Sequence, residues 1–198
     1  MEDNQELKTI IANEPKKSGW QSFRELIVFA VISLAIVVPI RMFVAQPFIV
    51  SGSSMFPTFE NGQYLVVDEL SYRIGAPQRD DVVVFKYPND TTKFFIKRII
   101  GLPGETIDIR GSVITITNKA HPEGFVLDQP FIKDPTLTDN IHFVTKDNEY
   151  FVMGDNRNAS SDSRFWGAVP SKLLIGRVFL RLFPVTHLGV LPGNYKQQ

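Results

Sequence analysis

From Leu26 to Ile40 the chain reads LIVFAVISLAIVVPI, with no charged side chain between Glu25 and Arg41, and apolar character resumes through Met42, Phe43, Val44 and Ala45. Nothing else in the sequence limits the fold as severely, because so apolar a run must be surrounded by protein or by lipid. A helix that crosses a bilayer takes about 20 mainly apolar residues, within a range of about 17–25, so residues 25–45 suffice if Arg41 lifts its guanidinium toward the headgroups. A buried core helix is one rival reading. A cleaved leader is another, but its apolar region would be shorter, closer to Met1 and followed by small residues, whereas Pro47, Phe48, Ile49 and Val50 come next. The run reads as a retained anchor, with a solvated tail at 1–24 and a body at 46–198. Lys16, Lys17 and Arg24 precede it closely and Arg41 alone follows it closely. Basic residues set orientation while acidic ones count little, so the tail is expected in the cytoplasm and the body outside it.

After residue 50 the apolar residues fall into short runs rich in Val, Ile and Phe, separated by Gly, Pro, Asn and Asp, which is the punctuation of strands and turns. The spacing predicts strands at Tyr64–Val67, Val82–Tyr87, Phe94–Ile100, Thr106–Arg110, Val113–Thr117, Tyr150–Met153 and Val178–Phe183, with a hairpin through Arg110-Gly111-Ser112. Beyond the anchor no stretch keeps a 3.6-residue apolar period over three turns, so a helix-rich body is disfavoured. The expected body is a mainly β barrel or sandwich of about 150 residues, large enough to bury its own core.

Composition removes several function classes. Lys+Arg number 21 and Asp+Glu 21, for a formal net charge of zero, so the chain lacks the positive field of a dedicated nucleic-acid binder. With no cysteine there is no thiolate nucleophile, disulfide or cysteine-ligated metal. His121, His142 and His187 are scattered without metal-ligand spacing, so no metal site is expected.

Three short segments carry chemistry. Ser51-Gly52-Ser53-Ser54-Met55-Phe56-Pro57-Thr58 comes directly after the anchor, and a plain Gly/Ser linker gains nothing from bulky apolar groups and a turn-setting proline. A hydroxyl fixed there can be a nucleophile if a base stands beside it. In Phe94-Phe95-Ile96-Lys97-Arg98-Ile99-Ile100, alternation puts Lys97 on the face of Phe95 and Ile99, and Arg98 on that of Ile96 and Ile100. Both faces are apolar, so one base must lean on hydrophobic surface. A snorkelling stem satisfies that. So does a desolvated lysine, whose pKa falls because burial favours the neutral amine, while a guanidinium stays charged and cannot be a base. Bringing Lys97 near pH 8 takes about 3 kcal/mol. The third segment runs from Gly154 to Arg164, GDNRNASSDSR. It fails the EF-hand pattern, with Arg157 where a ligand belongs, but a serine in it can orient a lysine amine while Asp162 and Arg164 pin the loop.

Together these segments resemble the bacterial type I signal peptidases, membrane-anchored serine proteases with a Ser/Lys dyad. The resemblance rests on Ser54-Met55-Phe56-Pro57-Thr58 after the anchor, on Lys97-Arg98 before Gly101-Leu102-Pro103-Gly104, and on Gly154-Asp155-Asn156-Arg157 leading to Ser160-Ser161-Asp162-Ser163-Arg164, in that order. It implies Ser54 as nucleophile and Lys97 as general base. It further implies Ser160 holding the amine, Asp162 with Arg164 supporting the site, and neither metal nor organic cofactor. Ser53 lacks the Met that comes after the nucleophile. Some family members carry a serine two residues before the nucleophile, where Gly52 stands here. The oxyanion would then rest on the Ser54 N–H and a second donor such as Ser51 in a rearranged loop. Asn158 and Ala159 stand where Asp and Asn are frequent.

The implied activity is cleavage of signal peptides from exported preproteins after Ala-x-Ala-type sites, with Phe95, Ile96 and Met55 as pocket walls, in the cell membrane or an internal membrane such as a thylakoid. Met55 and Phe56 read equally as lipid contacts and as core. Ser54 lies 13 positions beyond Arg41, a reach of no more than about 45 Å, which keeps the site near the bilayer. Self-cleaving repressor proteases share the dyad but are soluble and bind DNA. An anchored β module that binds exported proteins without cutting them is the non-enzymatic alternative.

Overall fold

The computed structural model describes residues 19–43, 45–132 and 140–195. It falls into two units, residues 1–41 and 42–198. Residues 1–18, most of the expected tail, lie outside the described residues.

The apolar run forms helix α1, Gly19–Phe43. It starts ahead of the expected boundary at residue 25, because Trp20, Phe23 and Arg24 extend the helix as readily as the apolar residues after them. Gly19–Val38 is long and apolar enough to cross a membrane, with mean hydropathy 1.9. Its large apolar side chains, Leu26, Phe29 and Ile36 among them, are exposed, which removes the core-helix reading. Ala45, expected within the anchor, instead opens a strand.

The body is built from antiparallel ladders. The larger sheet runs β1 (Ala45–Ile49), β2 (Tyr64–Asp68), β11 (Leu174–Phe183), β3 (Val82–Tyr87), β4 (Asp90–Gly101), β9 (Glu149–Met153) and β10 (Val169–Pro170), with β12 (Gly189–Val190) alongside β11. The smaller sheet runs β7 (Phe125–Val126), β6 (Val113–Thr117), β5 (Thr106–Arg110) and β8 (Asn140–Val144). The expected hairpin is present: Arg110 pairs with Val113 around a two-residue turn, and Gly111 takes the positive φ of 57° that such turns demand. Strict alternation turns Ile107, Ile109, Ile114 and Ile116 inward. Two short helices complete the body, α2 (Ser71–Ile74) and α3 (Ser163–Trp166).

Strand β4 positions the chemistry. Its residues feed three apolar clusters: Ile96 packs against one with Val50, Met55 and Phe59, Ile100 belongs to one with the inward isoleucines, and Ile99 to one with Val83 and Phe85. A strand gripped this way holds its backbone rigidly. On one edge β4 pairs with β3 along most of its length, from Asp90 to Arg98, but on the other β9 reaches only from Arg98 to Gly101. Among the described residues, the second edge of β4 from Thr91 to Lys97 has no partner strand.

Candidate active site

Ser54 sits on a tight turn in the loop after β1. The Phe56 N–H donates to Ser53 O at 3.1 Å and the Phe59 N–H to Met55 O at 2.9 Å, and the Met55 and Phe59 side chains plug the turn into the core. Met55 is 1% exposed. That corrects its reading as a pocket wall or lipid contact: a long, flexible thioether fills the space beneath the loop. The Gly52 N–H donates to Asn61 Oδ1 at 2.9 Å, and Gly52 has a φ of +90°, which few other residues would tolerate.

Lys97 comes from β4, opposite Val83. Its Nζ lies 2.7 Å from Ser54 Oγ, donates to the Ile96 carbonyl at 2.9 Å and stands 5.3 Å from the Phe95 ring centre. The side chain is 4% exposed. Burial brings its pKa from 10.5 down to about 8, because an ammonium removed from water loses hydration; Asp162 and Asp155 pull the other way without prevailing. Serine hydroxyl and poised amine thus meet across 43 positions of sequence.

The neighbouring Arg98 is not a snorkelling stem. It is 0% exposed, and its Nε and one terminal nitrogen donate to the two Asp155 oxygens at 2.8 and 2.6 Å. It also donates to the carbonyls of Asp80 and Gly193, and its guanidinium lies 3.9 Å over the Phe131 ring. Thr58 Oγ1 donates to Asp155 Oδ2 as well. One carboxylate therefore joins the serine loop, the lysine strand and the loop after β9. Sequence reasoning missed Asp155 and Thr58; the signal was their presence in two of the three segments, but nothing in the spacing told which side chains would pair.

The third segment wraps behind the dyad. The Asn156 N–H donates to the Ser54 carbonyl at 3.0 Å and its side chain to Ser53 O at 3.1 Å. Asp162 Oδ2 accepts from the Gly154 N–H at 3.0 Å and from Arg164 at 2.9 Å, and Oδ1 accepts from Arg164 Nε at 2.8 Å. Arg164 in turn donates to the Arg157 carbonyl at 2.6 Å. Asp162 and Arg164, read from sequence as pinning the loop, are paired through both carboxylate oxygens. The expected hydrogen bond from Ser160 to the lysine amine does not form: Ser160 is 7% exposed and its Oγ has no partner among the described residues. Ser160 instead fills space against Gly154, where any Cβ would collide with Ser160 Oγ and the Ser54 carbonyl.

A cavity of about 410 Å³ opens beside the dyad, walled by Phe48 and Ile49 of β1, by Phe94, Phe95 and Ile96 of β4, and by Ser51, Ser54 and Lys97. Phe95 and Ile96 line this cavity; Met55 does not. The Ser54 backbone N–H has no acceptor among the described residues. The arrangement offers a nucleophile, a base, a free donor and an apolar slot along an open strand edge.

The model of the family described as signal peptidase, peptidase S26, matches residues 23–183. A protein from Synechocystis sp. named probable signal peptidase I-1 is 36% identical over 186 residues, covering 90% of this chain and 92% of its own length. The signal peptidase I of Leptolyngbya laminosa is 37% identical, covering 83% of this chain and 82% of its own. A crystal structure of a signal peptidase I from Enterococcus faecalis V583 has 29% sequence identity and a TM-score of 0.44, over 52% of this chain and 97% of that one. With a family match across the serine, lysine and GDNR segments alike, this chain belongs to the signal peptidase family, peptidase S26.

Proposed function

We propose that the chain is a membrane-anchored serine endopeptidase that removes N-terminal signal peptides from exported preproteins, with Ser54 as nucleophile and Lys97 as general base. The observation that carries this is the 2.7 Å approach of Ser54 Oγ to a buried amine poised near pH 8. Neutral Lys97 accepts the Ser54 hydroxyl proton as Oγ bonds to the carbonyl carbon before the scissile bond. The resulting ammonium returns a proton to the departing amine, which leaves as the new N-terminus of the mature protein. Water then attacks the acyl-enzyme ester as Lys97 takes its proton, and Lys97 passes that proton to Ser54 Oγ as the ester C–O bond breaks, which restores the hydroxyl and the neutral amine and releases the signal peptide with a carboxyl terminus. The Ser54 N–H supplies one donor to the oxyanion, and Ser51, on the same cavity, is the candidate for a second.

Substrate choice follows from the cavity. An extended peptide completes the hydrogen bonds left open on β4 and sends alternate side chains into the slot between Phe48 and Phe95. Shallow apolar walls favour small residues at alternate positions, the Ala-x-Ala pattern. Helix α1 serves as the single anchor and lipid contact. Lys16, Lys17 and Arg24 favour a cytoplasmic tail, with the catalytic body outside the plasma membrane or on the lumenal side of a thylakoid.

The test is cleavage of a purified preprotein by the full chain in detergent, with the new N-terminus sequenced. Ser54→Ala and Lys97→Ala are each expected to cut turnover by about a thousandfold or more, with the double variant little worse, because the two groups act as a unit. Normal cleavage by Lys97→Ala would overturn the assignment of the base. A chain that binds preproteins at the cavity and never cuts them would leave the non-enzymatic reading standing.

A further inference from the structure

We infer that Phe94 is a specificity-determining residue that partitions two chambers: with Phe48 it closes the slot at the position taken by the third residue before the cut, and it walls that position off from a second chamber lined by Lys86. This rests on the reading of the slot as the place where alternate small side chains are recognised.

Strands β1 and β4 flank the slot without pairing to each other. Phe48 from β1 and Phe94 from β4 nevertheless meet across the gap, with ring centres 5.7 Å apart and planes at 60°, an edge-on contact. Phe48 packs against the core cluster of Val50 and Met55, whereas Phe94 is 50% exposed and gives only part of its surface to the core. On β4, Phe94 and Ile96 stand two positions apart, so they share a face at an interval of about 6.6 Å. An extended substrate repeats its alternate side chains at the same interval. Ile96, next to Lys97, serves the residue before the cut, and Phe94 serves the residue two further back. There a ring from each strand fills the depth that a long side chain needs.

Behind the rings lies a chamber of about 500 Å³, and among the described residues Phe94 is the one that lines both it and the slot. Lys86 is the charge closest in register: it sits opposite Phe94 in the β3–β4 ladder, and opposite residues of an antiparallel pair share a face. Arg73, Lys172 and Glu69 complete the charged wall of the chamber. The carboxylates around it have partners of their own, Glu69 facing Arg73 at 3.8 Å and Asp81 accepting from the Tyr72 hydroxyl at 2.8 Å. On the slot side, Lys93 pairs with Asp90 at 3.0 Å. Lys86 makes no ion pair among the described residues. Removing the Phe94 ring therefore joins the slot to a space that ends at an unpaired ammonium, which favours a carboxylate and disfavours another cation.

The experiment measures kcat/KM of the full chain in detergent on a purified preprotein with Ala immediately before the cut and Ala, Gln, Glu or Lys as the third residue before it. The parent is expected to cleave the Gln, Glu and Lys forms about a hundredfold or more slower than the Ala form. Phe94→Ala is expected to raise cleavage of the Glu form about tenfold or more, of the Gln form less and of the Lys form least. Combining Phe94→Ala with Lys86→Glu exchanges the order of the Glu and Lys forms. A preprotein with Leu immediately before the cut stays as poor a substrate for Phe94→Ala as for the parent, because Ile96 still closes that position. Phe94→Leu, if the alanine variant fails to fold, gives the same order with smaller gains. A folded Phe94 variant that keeps the parent's ratios, relaxes both substrate positions alike, or gains without regard to the charge at position 86 overturns the role of Phe94. A parent indifferent to the residue at both positions defeats the slot reading instead.

Discussion

The small sheet of the body buries isoleucines alone, whereas the large sheet buries ions among its apolar residues. The small sheet turns Ile107, Ile109, Ile114 and Ile116 into an apolar core. The large sheet holds Lys97 and Arg98 at adjacent positions of β4, with Asp155, Arg157 and Asp162 behind them, all buried. The first arrangement is what the hydrophobic effect selects unaided. The second runs against it, since ions taken out of water pay a desolvation penalty that their mutual attraction often fails to recover. The difference teaches where this chain has given up stability for chemistry.

That contrast can be broken most forcefully at Arg98. Arg98→Ala leaves the buried Asp155 side chain with Thr58 as its one hydrogen-bond donor among the described residues, and is expected to cost about 3–5 kcal/mol in denaturant unfolding of the body, with cleavage falling as the serine loop loosens. A loss under about 1 kcal/mol would mean that the pair is not the joint between the loops. Next in size, and opposite in sign, is Lys97→Met. The folded pKa of about 8 lies below the unfolded 10.5. Between those values the unfolded chain holds more protons, so stability rises with pH across that window, and below pH 8 the folded state bears the full burden of the buried ammonium. Lys97→Met is therefore expected to abolish cleavage yet raise stability at pH 6–7 by up to about 3 kcal/mol and flatten the rise between pH 8 and 10.5. Unchanged stability at both ends would show that the amine is better solvated than its burial implies. The mildest test sharpens the apolar side: Ile109→Val is expected to cost about 1 kcal/mol and leave cleavage per folded molecule unchanged. A change in turnover there would show that the two cores are coupled.

The same contrast governs what could be read from sequence. Strands β5 and β6 were legible to the residue because alternating Ile leaves one face to bury and Gly111 marks the turn, and β3 because its run of Val and Phe is continuous and buried on both faces. Strand β1 was missed: Ala45–Ile49 continues the apolar character of the anchor and contains Pro47, so nothing marks where helix ends and strand begins. Strands β7, β10 and β12 are two residues long, too short for any period, and exist through their partners. In the site, the chemical types of Ser54 and Lys97 announced themselves, and the fold places the two 2.7 Å apart. The pairing of Arg98 with Asp155, the burial of Met55 and the unpartnered Ser160 hydroxyl were not legible. Each depends on which of several nearby polar groups tertiary packing brings within 3 Å, a choice that one-dimensional spacing does not encode.

The distance between Ser54 and Lys97 along the chain has one more consequence. A hydrolase made in a cell full of its own potential targets is dangerous if fragments of it work. Here neither ingredient survives loss of the fold: a melted chain parts the hydroxyl from the amine, and rehydration returns the amine to the strongly basic range where it is always cationic at neutral pH. With the proposed Ser54 and Lys97 pair, nascent, misassembled or partly degraded copies are expected to lack activity, and proteolytic competence is expected only once the strand that carries Lys97 packs against the loop that carries Ser54.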